Sequence, residues 1–232
     1  MKRLYKKAEP VPRGDAHAIA LDGRPVETPG KRELTVPSGA LAAAIAEEWN
    51  AQTDEVRPAT MPLTRLAATA VDRVATERDT VVGQTAKYAG TDLLCYRAAH
   101  PPTLAARQQA VWQPLIDWAL LHYDAPLAVT TGVIPRRQAE TSLRAFAAAV
   151  AKLDDFMLTA LHCATAACGS LVIGLALLEG RIDAEEAFAA SQLDESFQIE
   201  AWGEDPEQAE RCRALAADIK AAARLISLVR DG

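Results

Sequence analysis

The sequence predicts an α+β protein, in which a small β-rich N-terminal domain with one helix is followed by a larger all-helical C-terminal domain. Strand character is confined to the first thirty-six residues, whereas helical apolar spacing dominates from about Pro58 onward. Half of the residues are apolar and about a quarter are charged, which is typical of a folded globular chain. We therefore place the domain boundary near Pro58, giving domains of residues 1–58 and 59–232.

A β-hairpin is predicted near the start of the chain. Ala18–Leu21 and Arg24–Val26 flank the pair Asp22-Gly23, which readily adopts the positive backbone angles of a tight turn. Because Pro25 cannot donate a hydrogen bond within a sheet, we expect its strand at an edge. Leu34–Val36 is a further strand candidate.

The helix of the N-terminal domain is predicted from a cap and an apolar stripe. Ser38 is a good N-cap residue, and Leu41, Ile45 and Trp49 follow at intervals of four residues. Helices are then expected over the following segments: Leu63–Val74, Glu77–Ala89, Thr103–Tyr123, Gln138–Lys152, Met157–Leu178, Asp183–Ser191 and from Asp205 toward the C-terminus.

Three local signals refine these helices. Pro114 lies inside the segment 103–123 and is expected to kink or divide it. Asp183 and Glu186 have the spacing of a capping box. Asp205-Pro206 is typical of an N-cap followed by proline at the first helical position.

Met157–Leu178 contains no Asp, Glu, Lys or Arg, so it has to be considered as a membrane span. Its middle is rich in small residues, and it lacks basic flanks and aromatic anchors. We therefore expect no membrane span, and interpret the segment as a central helix that other helices surround closely.

The net charge and the cysteine spacing limit which partners and which cellular compartment are expected. A formal net charge of −6, with acids and bases interspersed, argues against nucleic acid as a partner. The basic N-terminus is not followed by an apolar run, so no secretory signal is predicted. The four cysteines lack the spacing of a disulfide framework, which favours a reducing cytoplasmic compartment.

A search for catalytic and cofactor motifs gives no site. Gly169, Gly174 and Gly180 are scattered and form no phosphate-binding loop, so no nucleotide or other cofactor is expected. His162, Cys163 and Cys168 could suggest a metal, but His162 and Cys163 diverge by about 100° on a helix and no second pair completes the set. We interpret these three as core residues and expect no metal site.

The most unusual stretch is Leu193–Gly203, where acids alternate with large apolar residues. Glu195, with Asp194, Gln198 and Trp202, is the candidate partner-binding set on this short helix. Structural capping and pairing of the acids is an equally open interpretation. Catalysis by Asp194 and Glu195 is a third, although adjacent helical positions diverge by about 100° and suit a shared substrate poorly.

Several segments, in order along most of the chain, resemble the assembly chaperones that escort the unassembled alpha subunit of the F-type ATP synthase catalytic head. The similar segments are Leu21–Val26 with Thr28-Pro29, Ala46–Gln52, Met61–Thr64, Thr91–Arg97 and Ser191–Gly203. The second of these resembles a Glu-Trp-Asp-x-Gln signature, in which Asn50 here replaces the usual Asp. That difference argues against a charge-dependent role for position 50.

The resemblance implies a β-rich N-terminal domain, a larger helical C-terminal domain and an ATP-independent chaperone without catalytic residues. It also implies that the acid of the last segment, Glu195, matters for function. The expected partner is the alpha subunit, with no small-molecule substrate, in the bacterial cytoplasm or the mitochondrial matrix. The alternatives are a small-substrate enzyme using Asp194 or Glu195 in an interdomain cleft, and a purely architectural or membrane-associated helical protein.

Overall fold

The computed structural model describes residues 2–132, 134, 136–203 and 205–231. Strands are concentrated near the N-terminus and long helices follow, which confirms the α+β class. The chain folds into two compact units. Unit 1 comprises residues 1–78, 154–160 and 224–232, and unit 2 comprises residues 79–153 and 161–223. The domain boundary near residue 58 stays a prediction.

The N-terminal sheet has four antiparallel strands. They are β1 (Ala8–Arg13), β2 (Ala16–Leu21), β3 (Arg24–Pro25) and β4 (Thr35–Val36). Strand β2 is central, because it pairs with each of the other three. The predicted turn is confirmed, since Asp22 and Gly23 have φ angles of 48° and 83°. Pro25 lies on an edge strand, as expected.

Sequence patterns did not predict β1, because it contains Pro10 and Pro12. The two prolines are two residues apart, so their missing N–H groups fall on the same side of the strand. The other residues of β1 can therefore supply the hydrogen bonds to β2, and the six-residue pairing persists.

Helix α1 (Gly39–Asn50) begins at the predicted cap, where Ser38 Oγ accepts from the backbone N–H of Leu41 at 3.0 Å. A side chain in the last turn of α1 holds the start of the next helix. The carboxylate of Glu48 accepts from the backbone N–H groups of Leu63 and Thr64, both at 2.8 Å. These donors lie at the start of α2 (Pro62–Thr69), so Glu48 caps a neighbouring helix.

The hydrogen bonds of Asn50 explain why asparagine, rather than the aspartate of the Glu-Trp-Asp-x-Gln signature, stands at position 50. Its side-chain oxygen accepts from the N–H of Ala8, and its amide nitrogen donates to the carbonyl of Ala8, both at 2.8 Å. An ionised aspartate could accept but not donate. Position 50 therefore joins α1 to the backbone of β1.

The remaining helices begin and end within a few residues of the predicted segments, except that the segment 157–178 is divided between two of them. They are α3 (Arg78–Ala86), α4 (Pro102–Tyr123), α5 (Glu140–Ala151), α6 (Asp155–Cys168), α7 (Leu171–Leu178), α8 (Ala184–Ser191), α9 (Leu193–Trp202) and α10 (Pro206–Arg230). Single-turn segments at 58–60, 70–74, 87–91 and 93–95 link the earlier ones. A short parallel pair, β5 (Tyr96–Arg97) with β6 (Thr130–Thr131), adds strand structure to the helical part.

Pro114 does not divide α4, which runs unbroken through it, and the expected kink at this position stays a prediction. One helix prediction was wrong. The expected single helix over 157–178 is interrupted, because Gly169 has a φ of 65° and Ser170 caps a new helix, α7. The capping box of Asp183 with Glu186, and the cap by Asp205, are both present.

The apolar segment 157–178 packs inside unit 2 at its C-terminal end. All eight residues of α7 are buried. A Cβ atom on Gly174 would lie 2.5 Å from Thr165 Oγ1, so only glycine permits this approach of α7 to α6. None of the helices in the described part of the chain is long and apolar enough to cross a membrane.

Candidate functional site

The stretch singled out in the sequence forms α9, a helix of ten residues. Asp194 and Glu195 lie in its first turn, where negative charge is favourable beside the helix N-terminus. The helix ends at Gly203, whose φ of 85° is accessible to glycine at little cost.

One side of α9 is attached to α4. Gln108 Nε2 donates to Asp194 Oδ1 at 2.7 Å, and Arg107 pairs with Glu200 at 2.7 Å. The guanidinium of Arg107 also lies over the ring of Phe197, 5.2 Å from its centroid. These contacts fix which side of α9 is turned outward.

Gln108 is the centre of this attachment and is fully buried. The side-chain Oε1 of Gln108 accepts from the backbone N–H of Ala98 at 2.7 Å, while the backbone carbonyl of Gln108 accepts from Arg97 Nη1 at 2.8 Å. Arg97 is itself buried, donates to the carbonyl of Leu94 at 2.9 Å and stacks on Trp112. The Thr91–Arg97 segment thus supports α9 through Gln108.

The outward side of α9 carries Glu195, Gln198, Ile199 and Trp202, which we call the α9 face. Their spacing of three, four and seven residues places them on one side of a helix. Trp202 is 82% exposed, Gln198 is exposed, and Glu195 and Ile199 are half-buried. Within the described ranges the Glu195 carboxylate makes neither a hydrogen bond nor an ion pair.

The structure therefore separates the four predicted residues. Glu195, Gln198 and Trp202 share the α9 face, whereas Asp194 faces α4 and is held by Gln108. An exposed tryptophan next to an unpaired carboxylate suits docking to another polypeptide, because Trp supplies a large apolar area and a polar N–H. The two adjacent acids point to different surroundings, which gives poor geometry for a shared substrate.

Sequence reasoning missed Gln108 and Arg107 as supports of this helix. Both look like ordinary polar positions on α4, and nothing in the local sequence relates them to residues about ninety positions later. The only signal was indirect: α4 has apolar residues on every side, so part of that apolar surface had to face outward or meet a further helix.

The candidate metal residues do not converge. In the part of the chain that the structure describes, no three His, Cys, Asp or Glu side chains are grouped as metal ligands. His162 Nδ1 lies 2.9 Å from Thr85 Oγ1, so this ring nitrogen has a hydrogen-bond partner within unit 2. Burial raises the pKa of Cys168 to about 12, which keeps this thiol protonated near neutral pH.

Known proteins resemble this chain over most of its length. The sequence model described as ATP12 chaperone protein matches residues 2–120, just over half of the chain. The mitochondrial protein atp12 of Schizosaccharomyces pombe is 24% identical over 220 residues, covering 87% of this chain and 74% of the relative.

Solved structures extend the similarity to α9. The crystal structure of Atp12 from Paracoccus denitrificans has a TM-score of 0.94 and 44% identity, covering 99% of this chain and 98% of that one. A point mutant of the same protein gives the same values. A protein from Agrobacterium tumefaciens has a TM-score of 0.93 and 39% identity, covering 98% of this chain and 86% of that one. From these matches, the chain belongs to the ATP12 chaperone family, whose members act in ATP synthase assembly.

Proposed function

We propose that this protein is an ATP-independent chaperone that binds the unassembled alpha subunit of F-type ATP synthase through the α9 face. It prevents aggregation of that subunit and hands it over during assembly of the catalytic head. The observation that supports this proposal is Glu195, a half-buried carboxylate without a partner among the described residues, on the same face as the exposed indole of Trp202. The named relatives come from bacteria and a mitochondrion, so we place the activity in the bacterial cytoplasm or the mitochondrial matrix.

The mechanism follows from the surface that a free subunit exposes. Before assembly, the alpha subunit presents apolar area that it later buries against its neighbours, and such area promotes aggregation. Trp202 and Ile199 cover part of that area, and Glu195 pairs with a basic group of the client. Because the same client surface is needed for assembly, the incoming subunit displaces the chaperone by competition, which requires a moderate affinity.

A charge reversal tests the α9 face. Affinity capture of isolated alpha subunit is compared for wild type, Glu195→Lys and the control Glu210→Lys, which changes an exposed acid on α10. We expect Glu195→Lys to weaken capture at least about tenfold, the equivalent of roughly 1.4 kcal/mol. The control should bind as wild type does, and light scattering should show the same ranking in suppression of aggregation.

Each outcome has a distinct meaning. If wild-type protein neither captures the alpha subunit nor reduces its aggregation, the proposed client is wrong. If wild type and Glu195→Lys capture it equally, the client is right but the α9 face is not the docking surface.

A further inference from the structure

The α9 face carries apolar surface that the described part of the chain does not cover. Trp202 is 82% exposed, and Ile199, nearly one turn earlier, is half-buried. Tryptophan is enriched at protein interfaces, where its ring supplies a large apolar area and its indole a polar N–H. These two side chains indicate an interaction surface, and the charges around them indicate the chemistry of the partner.

The negative charge of the protein is concentrated around this face. Between Arg181 and Arg211 the chain contains ten Asp and Glu residues and neither Lys, Arg nor His. The rest of the chain carries 21 acids and 25 Lys and Arg residues, so the formal net charge of −6 originates entirely in this segment. We call residues 182–210 the acidic segment. It includes α8, α9 and the start of α10, all within unit 2.

The acids of the acidic segment are accessible. Of the nine whose structure is described, seven are exposed and the other two are half-buried. Two of the nine form ion pairs, Glu200 with Arg107 at 2.7 Å and Glu185 with Lys220 at 3.9 Å. The other seven form no ion pair with the described residues.

Most of this negative charge is not neutralised by the protein itself. Asp194 accepts a hydrogen bond from an amide, and Asp183 and Asp205 accept from backbone N–H groups, all of them uncharged donors. The acids also outnumber the nearby cations two to one, even when the cations of other elements and of the flanking positions are counted. Those five cations are Arg107, Arg181, Arg211, Arg213 and Lys220.

Helix stability accounts for only part of this charge. Asp and Glu are favourable in the first turn of a helix, and α8, α9 and α10 each have them there. Lys and Arg are equally favourable in the last turn, but neither α8 nor α9 has one there. The lack of cations on these two helices is therefore not a requirement of the fold, and it keeps the surface around Trp202 negative.

We infer that the α9 face binds a cationic surface of the client polypeptide, in which Lys and Arg side chains surround an apolar patch. The apolar patch covers Trp202 and Ile199, one cation pairs with Glu195, and the other acids of the acidic segment attract the client before contact. Charges around an interface act mainly on the rate of association, whereas most other contacts act on the rate of dissociation. The inference rests on the proposed function and specifies the chemistry of the client surface.

The kinetics of binding to isolated alpha subunit test this inference. Biolayer interferometry gives the association and dissociation rate constants at ionic strengths of about 0.03 and 0.3 M, where the Debye length is roughly 17 and 6 Å. For wild type, we expect the association rate constant to fall about tenfold across this range, because salt screens the attraction between opposite charges.

Three variants separate long-range attraction from contact. Glu210→Lys should bind as wild type does at physiological ionic strength, where charges beyond about 8 Å are screened, but should associate about threefold more slowly at the lower ionic strength. Glu140→Lys makes the same charge change on α5, outside the acidic segment, and should slow association less. Trp202→Ala should dissociate about tenfold faster with an unchanged association rate constant. Far-UV circular dichroism verifies that each variant is folded.

The failures are distinguishable. If wild type binds the alpha subunit but salt leaves its association unchanged or accelerates it, the client surface is not cationic, while the proposed client stands. Equal association of Glu210→Lys and Glu140→Lys at the lower ionic strength would show that the acidic segment does not direct association. Absence of binding by wild type overturns the proposed function, and this inference with it.

Discussion

Replacing Gln108 by leucine should release α9 from α4. The two side chains have similar size, so the change removes hydrogen bonds without opening a large cavity. It deletes the donor to Asp194 Oδ1 and the acceptor for the N–H of Ala98, each at 2.7 Å. It also places an apolar side chain beside a carboxylate that has been turned inward.

The expected cost is about 3 kcal/mol of unfolding free energy. A hydrogen bond to a charged group contributes roughly 1.5–3 kcal/mol, and a part-buried N–H left without an acceptor costs about 1–3 kcal/mol. Part of the sum is offset because leucine itself favours the buried position. Gln109→Leu is the matched control, since this neighbour on α4 is exposed, and its effect should stay within about 0.5 kcal/mol.

Urea unfolding followed by far-UV circular dichroism measures both variants, and hydrogen exchange locates the effect. In Gln108→Leu, the amides of α9 should exchange faster, because the helix loses its principal polar attachment. The double variant Gln108→Leu/Asp194→Ala should lose less unfolding free energy than the sum of the losses in the two single variants. A cost below about 1 kcal/mol, or an equal cost for Gln109→Leu, would refute the assigned role of Gln108.

Two further predictions concern the rest of the fold. Glu48→Ala should lower the free energy of unfolding by about 2 kcal/mol, because two N–H groups at the start of α2 lose their acceptor. Glu47→Ala, a change of the exposed neighbour, should cost under about 0.5 kcal/mol in the same urea titration, and equal costs would contradict the capping role. Burial raises the pKa of Cys95 and Cys168 to about 12 from an ordinary 9.0. At pH 8, these two thiols of the native protein should therefore be alkylated slowly, and the half-buried Cys163 faster. Peptide mass spectrometry measures the three rates, and equal rates would contradict the prediction.

The separation of Asp194 from Glu195 has a functional consequence. One acid attaches α9 to α4, while its neighbour remains available to a partner. A substitution of Asp194 should therefore act through the position of the whole helix, whereas Glu195→Lys changes the outward face directly. Stability measurements distinguish the two effects, because only the first is expected to lower the free energy of unfolding appreciably.

Local sequence predicted much of the fold, since the relevant interactions are local. The turn at Asp22-Gly23, the cap at Ser38 and the capping box at Asp183 each depend on groups within four residues of one another. The failures were also local in origin. Strand β1 was hidden by its prolines, and the interruption at Gly169 was masked by the apolar residues on either side.

By itself, the sequence determined the α+β class, the family and the short acidic and apolar helix as the candidate site, because composition, spacing and motifs are properties of contiguous residues. Only the tertiary structure decided which side of that helix faces outward. That orientation depends on Gln108 and Arg107, which contact residues roughly ninety positions away. The tertiary structure also decided that Val111 and Leu121 of α4 are exposed rather than buried. Burial depends on which neighbouring elements cover a helix, and an apolar pattern alone does not specify those neighbours.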